Sequence, residues 1–301
     1  MKKVSLRVKL AGLVLRNPLM LASGILGTTL PLLKRAYDSG AGIVVSKSIG
    51  KNRREGYRNP TIVSVDCGFV NAIGLSNPGI KEFVKEINSY PKFPLIVSLF
   101  GSNPKDFRLM AEVIDKTWVK GIELNLSCPH ARNFGLEVCQ DLELVSRIIK
   151  ETKKATKKPV FVKISPHVDV CEVSKIIEQS GADGIVAINT IRAMVIDVET
   201  FKPVLSNKFG GLSGSAIRPI AVRCVYEIAK CVSIPVIGVG GISKWEHVAE
   251  FLLAGASAVQ IGSALAFNNF NLFKEICFGL RNWLERKGNK SLEEVVGLAK
   301  S

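Results

Sequence analysis

One pattern recurs along the chain and limits what it can fold into. A short β-branched or apolar run is followed by a stretch of helical periodicity, and then by another run. The runs lie at residues 19–24, 42–48, 95–101, 121–128, 160–166, 184–190, 235–241 and 258–264. Helical periodicity is clearest at 31–39, 142–156, 170–180, 217–232 and 245–254. Three of these helices end in related phrases: Asp-Ser-Gly-Ala-Gly at 38–42, Gln-Ser-Gly-Ala-Asp-Gly at 179–184 and Leu-Ala-Gly-Ala-Ser-Ala at 253–258. The glycine stops the helix in a left-handed cap, and the alanine starts the turn into the next strand. Alternation of this kind predicts an α/β fold with a parallel sheet. Eight repeats in 301 residues suit a single (β/α)8 TIM barrel, with residues 1–301 as one domain. A doubly wound open sheet is the alternative.

Around that core the sequence predicts a β-hairpin, 4–10 with 13–15, turning at Ala11 and Gly12. Three connections are too long to be turns: 49–77 after strand two, 129–141 after strand four and 191–215 after strand six. All three leave the C-terminal face of the barrel, where chemistry is built, so they read as lids and subunit surface. Residues 292–299 read as a short terminal helix. The longest apolar runs are strand-sized, far below the ~20 residues of a membrane span. The N-terminus alternates charged and apolar residues and lacks a signal-peptide core. Both point to a cytoplasmic protein without a membrane partner.

The seven cysteines, at 67, 128, 139, 171, 224, 231 and 277, include no C-x-x-C pair and are odd in number. That argues against a metal site, an iron–sulfur motif or a disulfide framework in this chain. The net charge of +15 favours anionic ligands. The basic residues are dispersed, except at 47–58 and 150–158, and no nucleic-acid module signature is present, so no nucleic-acid partner is expected.

The ends of the strands carry polar or glycine residues suited to a ligand: Ala22 and Ser23, Lys47 and Ser48, Asn125 and Cys128, Lys163, Asn189 and Thr190, Gly240 and Gly241, Gly262 and Ser263. Lysine inside an apolar strand run is costly unless it meets an anion, and Lys47 and Lys163 both stand in such runs. Glycines at the ends of strands seven and eight expose backbone N–H groups where barrels bind phosphate, and Gly211-Leu-Ser-Gly214 lies upstream. A phosphate-bearing cofactor, two lysines, several asparagines and a cysteine on one face fit flavin mononucleotide. A lysine near its pyrimidine edge would stabilise the charge of reduction. Asparagine can donate to and accept from the ring. Cys128 is then a candidate base.

At these residues the chain resembles class 1 dihydroorotate dehydrogenases, over nearly its whole length. The matching phrases are Asn-Pro-Leu-Met-Leu-Ala-Ser-Gly at 17–24, Ser-Lys-Ser at 46–48, Asn-Ala-Ile-Gly-Leu-Ser-Asn-Pro-Gly at 71–79, Glu-Leu-Asn-Leu-Ser-Cys-Pro at 123–129, Val-Lys-Ile-Ser-Pro at 162–166, Ile-Asn-Thr at 188–190, Gly-Gly-Leu-Ser-Gly at 210–214 and Gly-Gly-Ile at 240–242. The phrase at 71–79 is most similar to class 1B. The resemblance implies oxidation of dihydroorotate to orotate in pyrimidine (UMP) biosynthesis. Cys128 would take the C5 proton while the C6 hydride passes to N5 of FMN, held once per chain. It implies that Lys47, Asn71, Ala72, Ile73, Gly74, Leu75, Asn125, Asn189 and Thr190 hold the substrate. It implies that Ala22, Ser23, Lys47, Ser48, Asn125, Lys163, Ile188, Gly214, Gly240, Gly241, Gly262 and Ser263 hold FMN. A homodimer is expected, with a separate electron-transfer subunit carrying FAD and a [2Fe–2S] cluster if the chain is class 1B, giving a heterotetramer. The chain departs from the pattern at His130 and Ser98, where the family often has Asn. Cys-Pro-His at 128–130 is shared with dihydropyrimidine dehydrogenases, so that reductase is the alternative activity. A non-catalytic phosphate-binding barrel is the alternative of another class.

Overall fold

The computed structural model describes residues 4–127 and 136–300. At its centre eight parallel strands close into a barrel. They are β1 (Leu19–Leu21), β2 (Ile43–Val45), β3 (Leu95–Leu99), β4 (Gly121–Asn125), β5 (Val160–Ile164), β6 (Gly184–Ala187), β7 (Val236–Val239) and β8 (Ala256–Ile261). They follow one another round the barrel in chain order, and β8 pairs with β1 to complete the ring. That closure excludes the open doubly wound sheet. Outside lie α1 (Leu30–Asp38), α2 (Ile80–Ser89), α3 (Pro104–Asp115), α4 (Leu142–Ala155), α5 (Val170–Gln179), α6 (Arg218–Cys231), α7 (Trp245–Leu253) and α8 (Leu272–Lys287).

The strands read as unbroken apolar runs because helices cover one face and the barrel interior the other. β1, β2, β3, β5, β6 and β7 are buried along their whole length. A few polar groups set the local geometry. Asn17 Oδ1 accepts from the Leu19 N–H and its Nδ2 donates to the Gly40 carbonyl, which ties the entry of β1 to the entry of β2. Side chains of Asn103, Asp141 and Asp169 cap α3, α4 and α5 by accepting from the third residue onward. Gly238 in β7 has a steric reason: a Cβ there would come within 2.3 Å of Phe251 Cδ1 on α7.

The C-terminal face carries a second layer. Strands Ile62–Val65 and Gly68–Asn71, from the segment after β2, join Ile191–Met194 and Phe209–Gly214, from the segment after β6, in one four-stranded antiparallel sheet. A two-stranded ribbon, Ile196–Asp197 with Lys202–Pro203, stands beside it. Of the segment after β4, residues 128–135 are outside the described residues, and a short helix, Leu136–Gln140, follows.

Four expectations need correction. The strands stop before the apolar runs do, so 46–48, 126–127 and 188–190 lie beyond them, although the N–H groups of Ser46, Leu126, Ile188 and Asn189 still donate to neighbouring strands. The hairpin is only Val8–Leu10 with Leu13–Leu15, because residues 4–7 turn away: the Ser5 N–H donates to the Lys290 carbonyl. The tail is two 3-10 turns, Leu292–Glu294 and Leu298–Lys300, split by Gly297 at φ 77°. Finally, Cys171 and Cys231 form one disulfide across 60 residues, with Cα atoms 5.8 Å apart. The packing of α5 on α6 brings them together, and sequence spacing carries no sign of it. Among the described residues no helix is long and apolar enough to cross a membrane, and no group of His, Cys, Asp and Glu could hold a metal ion.

Candidate active site

A cavity of about 510 Å³ opens at the C-terminal end of the barrel. Its floor is polar in a confined patch. Ser48 is the hub: its Oγ lies 3.3 Å from Ser23 Oγ and 2.9 Å from Ser98 Oγ, and it accepts from Asn125 Nδ2 at 3.0 Å. These residues come from the ends of β1, β2, β3 and β4, so the hub ties four strand ends together. Asn189, just past β6, donates from Nδ2 to Ser127 Oγ at 2.9 Å and to the Ser127 carbonyl at 3.1 Å. Its Oδ1 accepts from the Thr190 N–H at 2.8 Å.

Two lysines face this floor. Lys163 projects from β5 and is 6% exposed. Burial lowers its pKa, and the field of Glu123 opposes that shift. Lys47 is half-buried just beyond β2, and burial lowers its pKa as well. Neither ammonium has an ion-pair partner within bonding distance among the described residues, so both suit an anionic ligand.

The far end is built from glycines. Gly240 and Gly241 follow β7 at φ 135° and 69°. A Cβ on Gly241 would come within 2.6 Å of Arg218 Cβ and 2.8 Å of the Gly214 carbonyl. This packs the backbone against the start of α6, where the Arg218 N–H already donates to the Ser215 carbonyl and Pro219 has no N–H. A Cβ placed on Gly262 would meet only Ala22 Cβ at 3.6 Å and Ile25 Cγ2 at 3.8 Å, so that backbone is not closely covered by the protein. The combination fits a phosphate group.

The mouth is shaped by the loop at 71–79, which is held at several points. Asn71 Nδ2 donates to the Gly211 carbonyl, the Tyr57 N–H to the Ile73 carbonyl and Arg54 Nε to the Gly74 carbonyl. Asn77 Oδ1 accepts from the N–H groups of Gly50 and Gly79. Phe69 stacks on Phe267 at a centroid distance of 5.0 Å, joining the upper sheet to the short helix after β8.

The cavity is lined by Ala22, Ser23, Lys47, Ser48, Asn71, Ile73, Gly74, Leu75, Asn125, Lys163, Ile188, Asn189, Thr190, Gly214, Gly240, Gly241, Gly262 and Ser263. Ala72 is not among them: it is 1% exposed and packs with Val70 and Leu205. Cys128 and His130 are outside the described residues. Sequence reasoning missed Gln260 and Phe69, which also line the cavity. Gln260 could have been found by the argument that singled out Lys163, since it too is a polar residue in an apolar strand run.

Comparison with known proteins gives the family. The family model for dihydroorotate dehydrogenase matches residues 5–284. The catalytic subunit of dihydroorotate dehydrogenase B (NAD(+)) from Pyrococcus furiosus is 49% identical over 298 residues, covering 98% of this chain and 99% of that protein. Its counterpart in Methanocaldococcus jannaschii is 43% identical over 306 residues, covering 99% of each. A crystal structure of DHODH from Eimeria tenella in complex with ferulenol superposes with a TM-score of 0.85 at 20% identity, covering 97% of this chain and 88% of that one. That last likeness speaks for the fold.

Proposed function

The chain belongs to the dihydroorotate dehydrogenase family, and on that premise we propose that it oxidises (S)-dihydroorotate to orotate in UMP biosynthesis, as a class 1B catalytic subunit. The observation that carries the reading is the meeting, in one cavity, of two lysines with no hydrogen-bonded acid among the described residues, three asparagines and a cluster of glycines. When bound, one FMN per chain supplies the two-electron acceptor that no side chain there can provide. Gly214, Gly240, Gly241, Gly262 and Ser263 receive its phosphate through backbone and hydroxyl donors. Ala22, Ser23, Ser48, Asn125 and Ile188 would bed its ring, and Lys163 would balance the negative charge of reduction.

Lys47 binds the carboxylate of the substrate and also borders the flavin. Asn71, Ile73, Gly74, Leu75, Asn125, Asn189 and Thr190 orient the substrate ring through amide, hydroxyl and backbone groups. Ala72 serves this loop by anchoring it in the small core with Val70 and Leu205. Cys128, as thiolate, would take the proton from C5 as the C5–C6 double bond forms, and FMN, when bound, would supply the acceptor for the C6 hydride.

Electrons leave through a separate subunit carrying FAD and a [2Fe–2S] cluster, docked on a homodimer of this chain. Support for this comes from the relatives, whose names describe a catalytic subunit and NAD(+). The purified protein is expected to be yellow, to release FMN on denaturation, and to bleach anaerobically with dihydroorotate as orotate forms. A colourless protein that takes up no added FMN contradicts the reading.

A further inference from the structure

β4 and β5 carry charged side chains into the barrel interior. Lys163 pairs in register with Asn125, and Glu123 precedes Asn125 by two residues. The two-residue period of a strand therefore aims all three at the inner face. Gln260 reaches them from β8, which lies four strands away from β4 in either direction round the ring. Its Nε2 donates to Glu123 Oε2 at 2.6 Å, so the pair spans the barrel. Both residues are 1% exposed. The other oxygens, Glu123 Oε1 and Gln260 Oε1, have no hydrogen-bond partner. Gln260 and Lys163 line the cavity, and Glu123 sits deeper, without lining it.

A carboxylate buried with a single amide donor is costly unless a cation compensates it. The surroundings offer few choices. β1, β2, β3, β6 and β7 contribute no titratable side chain. β8 contributes the neutral amide of Gln260. Lys47 lines the same cavity from beyond β2, and Cys128, beyond β4, is outside the described residues. Glu123 is the one charged group whose field acts on Lys163 among the described residues.

We infer that Glu123 is a positioning residue for the redox step: its carboxylate, fixed by Gln260 from across the barrel, keeps Lys163 cationic and directed at the cofactor. This rests on the FMN reading above. Glu123 touches neither flavin nor substrate. It acts through Lys163.

The test is the midpoint potential of bound FMN against pH, in the parent, Glu123→Gln and Lys163→Met holoproteins. Loss of the lysine's proton changes the slope of this line. In Glu123→Gln the break is expected at least about one pH unit lower than in the parent, because an opposite charge nearby favours the charged form by one unit or more. Lys163→Met should show no break. A break that stays put in Glu123→Gln overturns the inference, even if FMN binds less tightly. So does a uniform rise in potential, which would mean that Glu123 acts on the flavin directly. A second measurement needs no flavin. Thermal unfolding of the flavin-free chain is followed for both single variants and for Glu123→Gln/Lys163→Met, a cycle that isolates the pair. The double variant should be more stable than the two single effects together imply. Simple additivity overturns the pairing. Failure to bind FMN at all would count against the proposed function, and this cycle would still decide the pairing.

Discussion

Asn125 and Ser48 stand 77 residues apart in sequence, yet the asparagine Nδ2 lies 3.0 Å from the serine hydroxyl. That contact ties β4 to the end of β2 on the floor of the cavity, and the same hydroxyl meets Ser23 and Ser98. Ser48→Ala removes the hub and leaves the Asn125 amide short of an acceptor. The expected cost is about 1–3 kcal/mol, divided between the barrel and the ligand. Flavin titration should show FMN affinity lowered by roughly tenfold, since 1.4 kcal/mol is tenfold in binding, with a modest fall in Tm.

Gly241 is held at φ 69° against the start of α6. Gly241→Ala brings a Cβ to 2.6 Å from Arg218 Cβ and 2.8 Å from the Gly214 carbonyl. The backbone must shift in the segment that would receive the phosphate. Strain of this kind costs on the order of 1–3 kcal/mol, so FMN affinity should fall by tenfold or more. Orotate binding by the fraction that retains flavin should change little, which separates this effect from general unfolding.

Lys47 gives a pH dependence of fixed sign. Burial lowers its pKa from 10.5. Its charge is therefore lost, as pH rises, earlier than for an exposed lysine. The carboxylate of orotate stays ionised throughout, so orotate should bind more weakly as pH rises through that lowered pKa. Lys47→Arg should bind orotate with an affinity that does not fall over this range, because guanidinium keeps its proton. Lys47→Ala should lose about 1.5–3 kcal/mol, the worth of a hydrogen bond to a charged group, at pH 7. Perturbation of the flavin spectrum by orotate measures all three.

Cys128 and His130 are rival proton acceptors. A free thiol titrates near ~8.5, so flavin reduction by dihydroorotate should speed up as pH rises and then level off. Cys128→Ala should keep FMN and bind orotate, yet reduce flavin roughly 10²–10⁴-fold more slowly. His130→Ala should resemble the parent. Rapid mixing of both variants across the pH range reverses the assignment if the histidine variant is the inactive one.

Much of the barrel was legible because its strands are apolar on both faces and its helices end at glycines. The cavity was legible through cost: Lys163 in an apolar strand demanded an anion. The same cost singles out Glu123 and Gln260, polar residues in apolar strand runs, but nothing in the sequence says that they meet across the barrel. The upper sheet was illegible for a different reason. Gly68–Asn71 pairs with Phe209–Gly214, and strands that short and glycine-rich carry no periodic signal naming a partner far along the chain. The Cys171–Cys231 bridge was hidden similarly, since it depends on which helices lie side by side. Ala72 was grouped with its loop neighbours, but alternation turns its methyl into the small core.

Dihydroorotate and dihydrouracil differ by the carboxylate that Lys47 and the loop at 71–79 are proposed to read. Each is mixed anaerobically with the purified flavoprotein, and the bleaching rate is compared with the amount of pyrimidine product formed. Dihydroorotate should bleach the flavin, with one orotate appearing per FMN, while dihydrouracil at the same concentration leaves it oxidised on that timescale. Equal or faster bleaching by dihydrouracil, or bleaching by dihydroorotate without orotate, would contradict a dihydroorotate-oxidising site.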